Sequence, residues 1–409
     1  MYYLPLNSSP RPTGYQQRVK EANIKRIFDL IRSGKCSSRA DLVRAMKLSA
    51  TSVSVLVEEL EARGLISETG PQQTYQPGRR PITLRANGDA RQIVVFILHR
   101  EGVRCDLLNA DCALVEQTFV PFDSGALEPD CDAGDLYAGL FTDILENRLE
   151  RYDPGRAEVV GLAFPGIFLE YEQALLMRST MGIRISLESV QRFQQRTQLP
   201  VLMSTAPRCI AYAEKKLLDS MSADDPETRH LLYMHIGRWI GGAIISDGDL
   251  YTGPFNVAGE FGHITIDHRG RPCHCGSFGC LERYVSEGAI LDDARKACRE
   301  AGLPEPGSFR ELAGELASEP PVAAVLDAAA EALASGIHSL MCATGMHDVL
   351  LGGAVSALGE TFLQSVCRGV LNRNRLIRRF SVRYACAGEN AESAGLARYF
   401  LDKHFTVTD

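Results

Sequence analysis

Three cysteines stand close together in the stretch GHITIDHRGRPCHCGSFGCLERY, at Cys273, Cys275 and Cys280. His263 lies upstream of them, and His268 and His274 lie inside the same segment. One imidazole with three thiolates makes a closed tetrahedral set of the kind that holds structural zinc, with no position left for a catalytic water. Spacing alone leaves the three histidines competing for the nitrogen position. The other cysteines are scattered, and the N-terminus shows no apolar segment behind a basic start that would mark an export signal. The pattern therefore predicts reduced thiols and a metal rather than a disulfide framework. A bound metal would clamp an irregular loop with too little apolar surface to fold alone, and so would fix the neighbouring Glu260 and Glu282.

Elements elsewhere must hold that loop in place. A chain of 409 residues is too long for one ordinary core and predicts two or three domains. No run of eighteen apolar residues occurs, which predicts a cytoplasmic protein with no membrane partner. Charge is uneven. Residues 1–90 carry a net +6 within a chain whose total is −7, which leaves −13 on the rest. A basic head on an acidic body suits a head that touches a polyanion.

The head reads as a winged helix-turn-helix. Ile24, Ile27, Phe28 and Ile31 fall at i, i+3, i+4 and i+7, one face of a helix that ends at Gly34. Ser38 and Asp41 are three apart, a capping-box variant that opens a second helix with Leu42, Val43 and Met46 on its apolar side. Val53, Leu56, Val57 and Leu60 give a third, stopped by Gly64. The tight turn between the last two makes a helix-turn-helix. Ser49, Thr51, Ser52 and Ser54 sit at the start of the third helix, where a recognition helix meets bases and phosphates; one of these hydroxyls is accounted for by N-capping alone. The following LISETGPQQTYQPGRRPITLRANGDA predicts a two-stranded wing. Arg79 and Arg80 at its tip could enter a narrow minor groove. Together these features predict binding to double-stranded DNA.

From about residue 91 the periodicity changes. QIVVFILHREGVRCDLLNADCALVEQTFVPF reads as three strands in a meander, followed by a helix and the strand EVVGLAFPGIF. HLLYMHIGRWIGGAIISDGDLYTG starts a second strand set, and DVLLGGAVS is a late strand. Two strand sets, each followed by helices, predict two α/β lobes with a cleft between them.

AGEFGHITID followed by CHCGSFGCLE resembles the ROK family of repressors, open reading frames and kinases, as do GRRPITLRANGDA, GLAFPG, IGGAIISDGDLYTG, LLGGAVSALGE and ENAESAGLARYF. The resemblance covers nearly the whole chain, in order. It implies a two-lobed actin/hexokinase-like (ribonuclease H-like) α/β body carrying an N-terminal winged helix-turn-helix. The implied division is a flexible N-terminus over 1–15, the DNA-binding domain over 16–88, a first lobe over 89–205 and a second lobe over 206–409 with a zinc loop at 263–282. It favours His263 as the nitrogen ligand beside Cys273, Cys275 and Cys280. It also implies that Glu260, His263 and Glu282 meet sugar hydroxyls, and that the protein is a homodimer or homotetramer.

The departures from the kinase pattern bear on activity. Kinases of the family use an Asp-x-Gly-Gly-Thr loop where this chain has His99, Arg100 and Glu101. Small glycines are needed there for close backbone approach to phosphate. The catalytic aspartate of an Asn-Asp-Ala segment is replaced: Ser204 and Thr205 stand there, neither a base near neutral pH. The second phosphate loop reads IGRWIGGA, with Arg238 and Trp239 filling space the nucleotide would need. Positioning and electrostatics are nearly all of phosphoryl-transfer catalysis, so losing three parts predicts no enzyme. The expectation is a repressor of carbohydrate-related genes that answers to a sugar or phosphosugar effector. The alternative is a divergent ROK sugar kinase.

Overall fold

The computed structural model of the chain describes residues 1–6, 15–71, 82–177, 180–221, 229–373 and 379–406. After the short strand β1 (Tyr2–Leu4), the head comprises helices α1 (Tyr15–Arg32), α2 (Arg39–Met46) and α3 (Ala50–Ala62) and the antiparallel hairpin β2 (Ile66–Pro71) and β3 (Ile82–Ala86). Ile24, Ile27, Phe28 and Ile31 are all buried, against Leu42, Met46, Val53, Val57 and Leu60 from the next two helices. Ser38 caps α2 by accepting from the Asp41 N–H, while the Asp41 carboxylate accepts from the Ser37 N–H and the Ser38 hydroxyl. This is the expected capping box, with the acid reaching one residue further back. The wing strands form as expected; their tip, with Arg79 and Arg80, lies outside the described residues.

In the first lobe β4 (Gln92–His99), β5 (Gly102–Asn109) and β6 (Leu114–Pro121) form the expected antiparallel meander. After β7 (Cys131–Asp132) and α4 (Gly134–Asn147), β8 (Ala157–Phe164) returns parallel to β4. Strands β9 (Ile167–Leu169), β10 (Ala174–Met177) and β11 (Ile183–Ser186) join β7 in a small separate sheet. Helix α5 (Leu187–Thr197) then leads to β12 (Val201–Thr205), parallel to β8. Helix α6 (Ala206–Met221) leaves directly from β12 toward the second lobe.

The second lobe repeats the plan. Its meander is β13 (Leu231–Ile236), β14 (Ile240–Ser246) and β15 (Asp249–Tyr251). Helices α7 (Glu282–Val285), α8 (Glu287–Glu300), α9 (Phe309–Glu311) and α10 (Pro320–Thr344) precede β16 (Asp348–Gly352), which lies parallel to β13. Helix α11 (Gly359–Arg373), strand β17 (Ser381–Tyr384) and helix α12 (Ala391–Lys403) complete the chain. With β1 set aside, the sheets run β12-β8-β4-β5-β6 and β17-β16-β13-β14-β15. Both place the first strand of the lobe at the centre, its meander on one side and its later parallel strands on the other. That duplication is the two-lobed architecture expected.

Two expectations about domain limits need correction. Residues 1–15 are not uniformly flexible, because Tyr2–Leu4 pairs antiparallel with Val201–Met203 as an edge strand of the first lobe. Tyr2 packs on Phe168 and Tyr3 stacks on His404, which anchors the segment on both faces. Nor is 206–409 one lobe. Helix α12 lays Leu396, Ala397, Phe400 and Leu401 into an apolar core shared with Ile93, Val95 and Ile97 of β4 and with the head. Among the described residues α10 alone is long and apolar enough, by length and composition, to cross a bilayer. It packs on α8 and α11, with Val322, Leu333, Ile337 and Met341 buried in the second-lobe core.

Candidate metal centre and ligand cleft

The loop between β15 and α7 has little regular structure. A single 3-10 turn spans Phe261–His263, and isolated bridges join Thr265 to Cys280 and Pro272 to Phe278. Backbone bonds from the Cys273 N–H to Ser277 O (2.8 Å) and from the Gly279 N–H to Arg271 O (2.8 Å) fold it back on itself. Gly279 adopts φ +67°, and a Cβ there would stand 1.6 Å from the Asp267 carbonyl oxygen, so only glycine fits.

That folding brings His263, Cys273, Cys275 and Cys280 together, with ligand atoms all within 4.8 Å of one another. His268 is exposed and belongs to neither ligand group found among the described residues. The Cys275 and Cys280 sulfurs are 3.6 Å apart, and the His263 Nδ1 is 3.7 Å from the Cys273 sulfur. Metal–sulfur bonds of about 2.3 Å and metal–nitrogen bonds of about 2.0 Å give tetrahedral edges of about 3.8 Å for S···S and about 3.6 Å for N···S. The residues present therefore fit a tetrahedral zinc ion. The imidazole is in the form such a site needs, and the thiols would ionise on metal binding. Burial, more than the Glu282 charge can offset, holds His263 below its ordinary range and so leaves a neutral imidazole. Burial pushes the Cys280 thiol up to about 12, with Cys275 and Cys273 adding to the rise. Crowding three thiolates is unfavourable until a cation neutralises them.

Glu282 opens α7 beside this cluster and is buried. Its Oε2 accepts from the Ile240 N–H at 2.9 Å, and its Oε1 lies 3.3 Å from the His274 Nδ1. Glu260 is open to solvent at its edge, yet packed protein and the Glu282 charge raise its carboxyl despite the Arg208 cation. Arg208, at the start of α6, is a residue the sequence reading missed. It is almost fully buried, and it donates to Asn256 Oδ1 (2.7 Å), Asn256 O (2.9 Å) and Ala258 O (2.9 Å), which pins the backbone leading to Glu260. Its one sequence signal is a cation inside an otherwise apolar helix start.

Three of the positions that depart from the kinase pattern meet between the two lobes. Arg100, Glu101 and Arg238 line one cavity of about 480 Å³ with Pro121, Phe122 and Asp123. Arg238 of the β13–β14 turn reaches across to within 3.9 Å of Glu101 in the β4–β5 turn. The Arg238 guanidinium lies 5.7 Å from the centre of the Trp239 ring, whose other neighbour is the His274 imidazole at 5.7 Å. Ser204 and Thr205 are buried, and the Ser204 hydroxyl faces the Thr205 carbonyl oxygen at 3.4 Å.

The DNA-facing candidates lie together at the start of α3. Ser49 is the N-cap, accepting from the Ser52 N–H at 3.1 Å, and its hydroxyl meets that of Ser52 at 2.8 Å. Ser49, Thr51 and Ser52 are exposed and Ser54 is half-buried. Val55, 53% exposed on the same helix, was not singled out by sequence. An apolar side chain there suits contact with a thymine methyl. The head is seated on the body. Phe28 packs on Phe405 at 5.7 Å, Lys25 donates to Leu401 O at 2.7 Å, and Arg32 pairs with Asp402 at 3.0 Å.

A model of the ROK family matches residues 143–403. The xylose repressor of Caldicellulosiruptor bescii is 26% identical over 384 residues, covering 90% of this chain and 91% of that protein. The glucokinase of Halalkalibacterium halodurans is 26% identical over 249 residues, 58% of this chain and 73% of its own. Among solved structures, a ROK family transcriptional regulator described as a homolog of the E. coli MLC protein superposes with a TM-score of 0.77. It is 22% identical and the match covers 94% of this chain and 96% of that one.

Proposed function

The chain belongs to the ROK family, and on that premise we propose that it is a DNA-binding transcriptional repressor of carbohydrate-related genes. Its cleft reads a sugar or phosphosugar, and it does not phosphorylate it. The observation that carries this reading is the combination of a winged helix seated on the body with a cleft lined, at phosphate-loop positions, by Arg100, Glu101 and Arg238, the last lying against Trp239. Likeness to a xylose repressor along nearly the whole chain supports it. The metal centre is structural: His263, Cys273, Cys275 and Cys280 hold Zn2+, which as a closed-shell cation neutralises the thiolates and fixes the loop carrying Glu260 and Glu282. Those two carboxylates and the His263 side chain are the polar groups offered to sugar hydroxyls.

Two copies of the chain, as a homodimer or within a homotetramer in the cytoplasm, place their heads on half-sites of an approximate palindrome. Release follows if the effector prefers one lobe arrangement and the operator prefers another. Helix α6 is the physical link. Arg208 at its start holds the cleft loop, and about one and two turns on, roughly 6 and 12 Å, Tyr212 and Lys216 contact Asp402 at the head junction, at 2.9 and 2.8 Å.

The test is selection of a duplex from a random pool by the purified protein, then titration of the complex with pentoses, hexoses, amino sugars and their phosphates. One class should dissociate it. Failure to select any duplex at low salt overturns the reading. The kinase alternative rests on the glucokinase likeness and is checked directly with ATP and the same sugars, where no turnover is expected.

A further inference from the structure

The metal centre contains a second ligand group that overlaps the first. His263 and Cys273 are common to both, but His274 and Glu282 take the places of Cys275 and Cys280. All four ligand atoms again lie within 4.8 Å of one another. The His274 Nδ1 to Glu282 Oε1 distance is 3.3 Å, and His274 Nδ1 to Cys273 Sγ is 3.9 Å. Metal–nitrogen and metal–oxygen bonds of about 2.0–2.1 Å give a tetrahedral N···O edge of about 3.4 Å, and the N···S edge is about 3.6 Å. Both pairs are near the separations a bound ion imposes. Imidazole, thiolate and carboxylate are all zinc ligands, so the chemistry of the set is sound.

The surroundings favour such a set. Glu282 is held from behind by the Ile240 N–H, which leaves Oε1 facing His274. Trp239 packs edge-on to the His274 ring, and so do the rings of His263 and His274 to each other at 5.3 Å, which limits how far His274 can swing. Each set has one exposed member, Cys275 in the first and His274 in the second, while Glu282 is buried. The exposed member of the first set is a thiol, open to alkylation and oxidation. The one thiol of the second set, Cys273, is buried.

We propose that His274 and Glu282 are reserve ligands, which keep the metal bound through His263 and Cys273 when the exposed Cys275 is lost from the first set. This rests on the structural metal site proposed above. It goes further by giving the metal two positions, the second of which engages a carboxylate assigned to the effector cleft.

The experiment begins with the zinc content of the purified wild-type chain. No zinc at this step sinks the metal site itself, and this proposal with it. Folded, zinc-loaded protein is then treated with iodoacetamide until mass spectrometry shows Cys275 alkylated, and released zinc is measured with a chromogenic chelator. The wild type should keep at least four-fifths of its zinc, and His274→Ala, alkylated to the same extent, should lose most of it. Release from both proteins, or retention by both, overturns the reserve role. Cobalt supplies a second readout. In Cys275→Ser/Cys280→Ser the thiolate charge-transfer band should fall to about one third, three thiolates becoming one, with one cobalt still bound per chain. A folded double variant that binds no cobalt refutes the proposal.

Discussion

Asp402→Asn removes one charge from the junction between head and body and should cost far more than a surface substitution. In the structure the Asp402 carboxylate meets Lys216 at 2.8 Å, Arg32 at 3.0 Å, Arg398 at 3.4 Å and the donating Tyr212 hydroxyl at 2.9 Å. Burial alone would raise its pKa, but the Lys216 and Arg398 cations and the Tyr212 hydroxyl outweigh it and hold the carboxyl at about 2. Against an ordinary value of about 3.9, and at about 1.4 kcal/mol per unit, that depression is worth about 2.6 kcal/mol. Arg32 adds to the cost. Its side chain is 3% exposed, and its Nε and Nη1 have no hydrogen-bond partner among the described residues. With the charge gone, Asp29 at 3.3 Å is the one carboxylate left to Nη2 among the described residues. Breaking a buried pair from one side costs about 3–5 kcal/mol in general; the remaining Asp29 contact argues for about 2–3 kcal/mol here. The sign with pH follows from the depressed carboxyl. The stabilisation is fully present above about pH 4 and is lost as pH falls towards 2. Urea unfolding followed by far-UV circular dichroism at pH 7, and at steps from pH 4.5 to 2.5, is the assay. The wild type should lose about 2 kcal/mol more than Asp402→Asn across the acid range. A variant within about 0.5 kcal/mol of wild type at pH 7, the size of an ordinary surface change, would refute the reasoning.

Ser49→Ala should destabilise the head by about 1 kcal/mol through loss of the α3 cap, and should weaken operator binding without altering its salt dependence, since no charge is removed. Arg79→Ala and Arg80→Ala should each reduce the slope of log affinity against log salt by about one; fluorescence anisotropy at several salt concentrations separates the two behaviours. Chelation of the metal should lower the thermal midpoint and abolish effector binding together, because the same loop carries Glu260 and Glu282; differential scanning fluorimetry with and without sugar checks both. Arg208→Ala should leave operator affinity close to wild type but blunt its response to effector, read as a smaller shift of the anisotropy titration at saturating sugar.

Much of this was legible because the head and the meanders are local. Ile24 to Ile31 and Val53 to Leu60 reveal buried helix faces by spacing alone, and all of them are buried. Cys273, Cys275 and Cys280 are near in sequence, so their convergence needs only one folded loop. Three things were hidden. Tyr2–Leu4 pairs with a strand about two hundred residues away, and three residues are too few to show a period. The small sheet of β7 and β9–β11 is built from segments of two to four residues, with the same difficulty. Arg208, Arg32 and Asp402 are charged residues on amphipathic helices, where solvent exposure is the ordinary expectation. Only tertiary packing turns them inward.

Helix α12 shows why that last group matters to function. Its apolar residues predict a buried face but not the neighbour. In the structure that face serves the first-lobe sheet and the head at once, through Leu396, Phe400 and Leu401, and Phe405 just beyond it meets Phe28. A head attached by a flexible linker could report a change in the cleft only weakly, because the linker would absorb the displacement. A head sharing a close-packed core with the body cannot move independently of α12 without opening that core. Helix α6 packs along α12 and begins at Arg208, which holds the backbone leading to Glu260, so one packed pair of helices runs from that loop to the head. The double-mutant cycle between Arg32→Ala and Asp402→Ala measures that connection. A coupling of about 1–3 kcal/mol is the range for neighbours in one charge network. Additivity within about 0.3 kcal/mol would show that the ion pair is not what joins head to body, and would leave the Phe28–Phe405 contact and its apolar neighbours to do so.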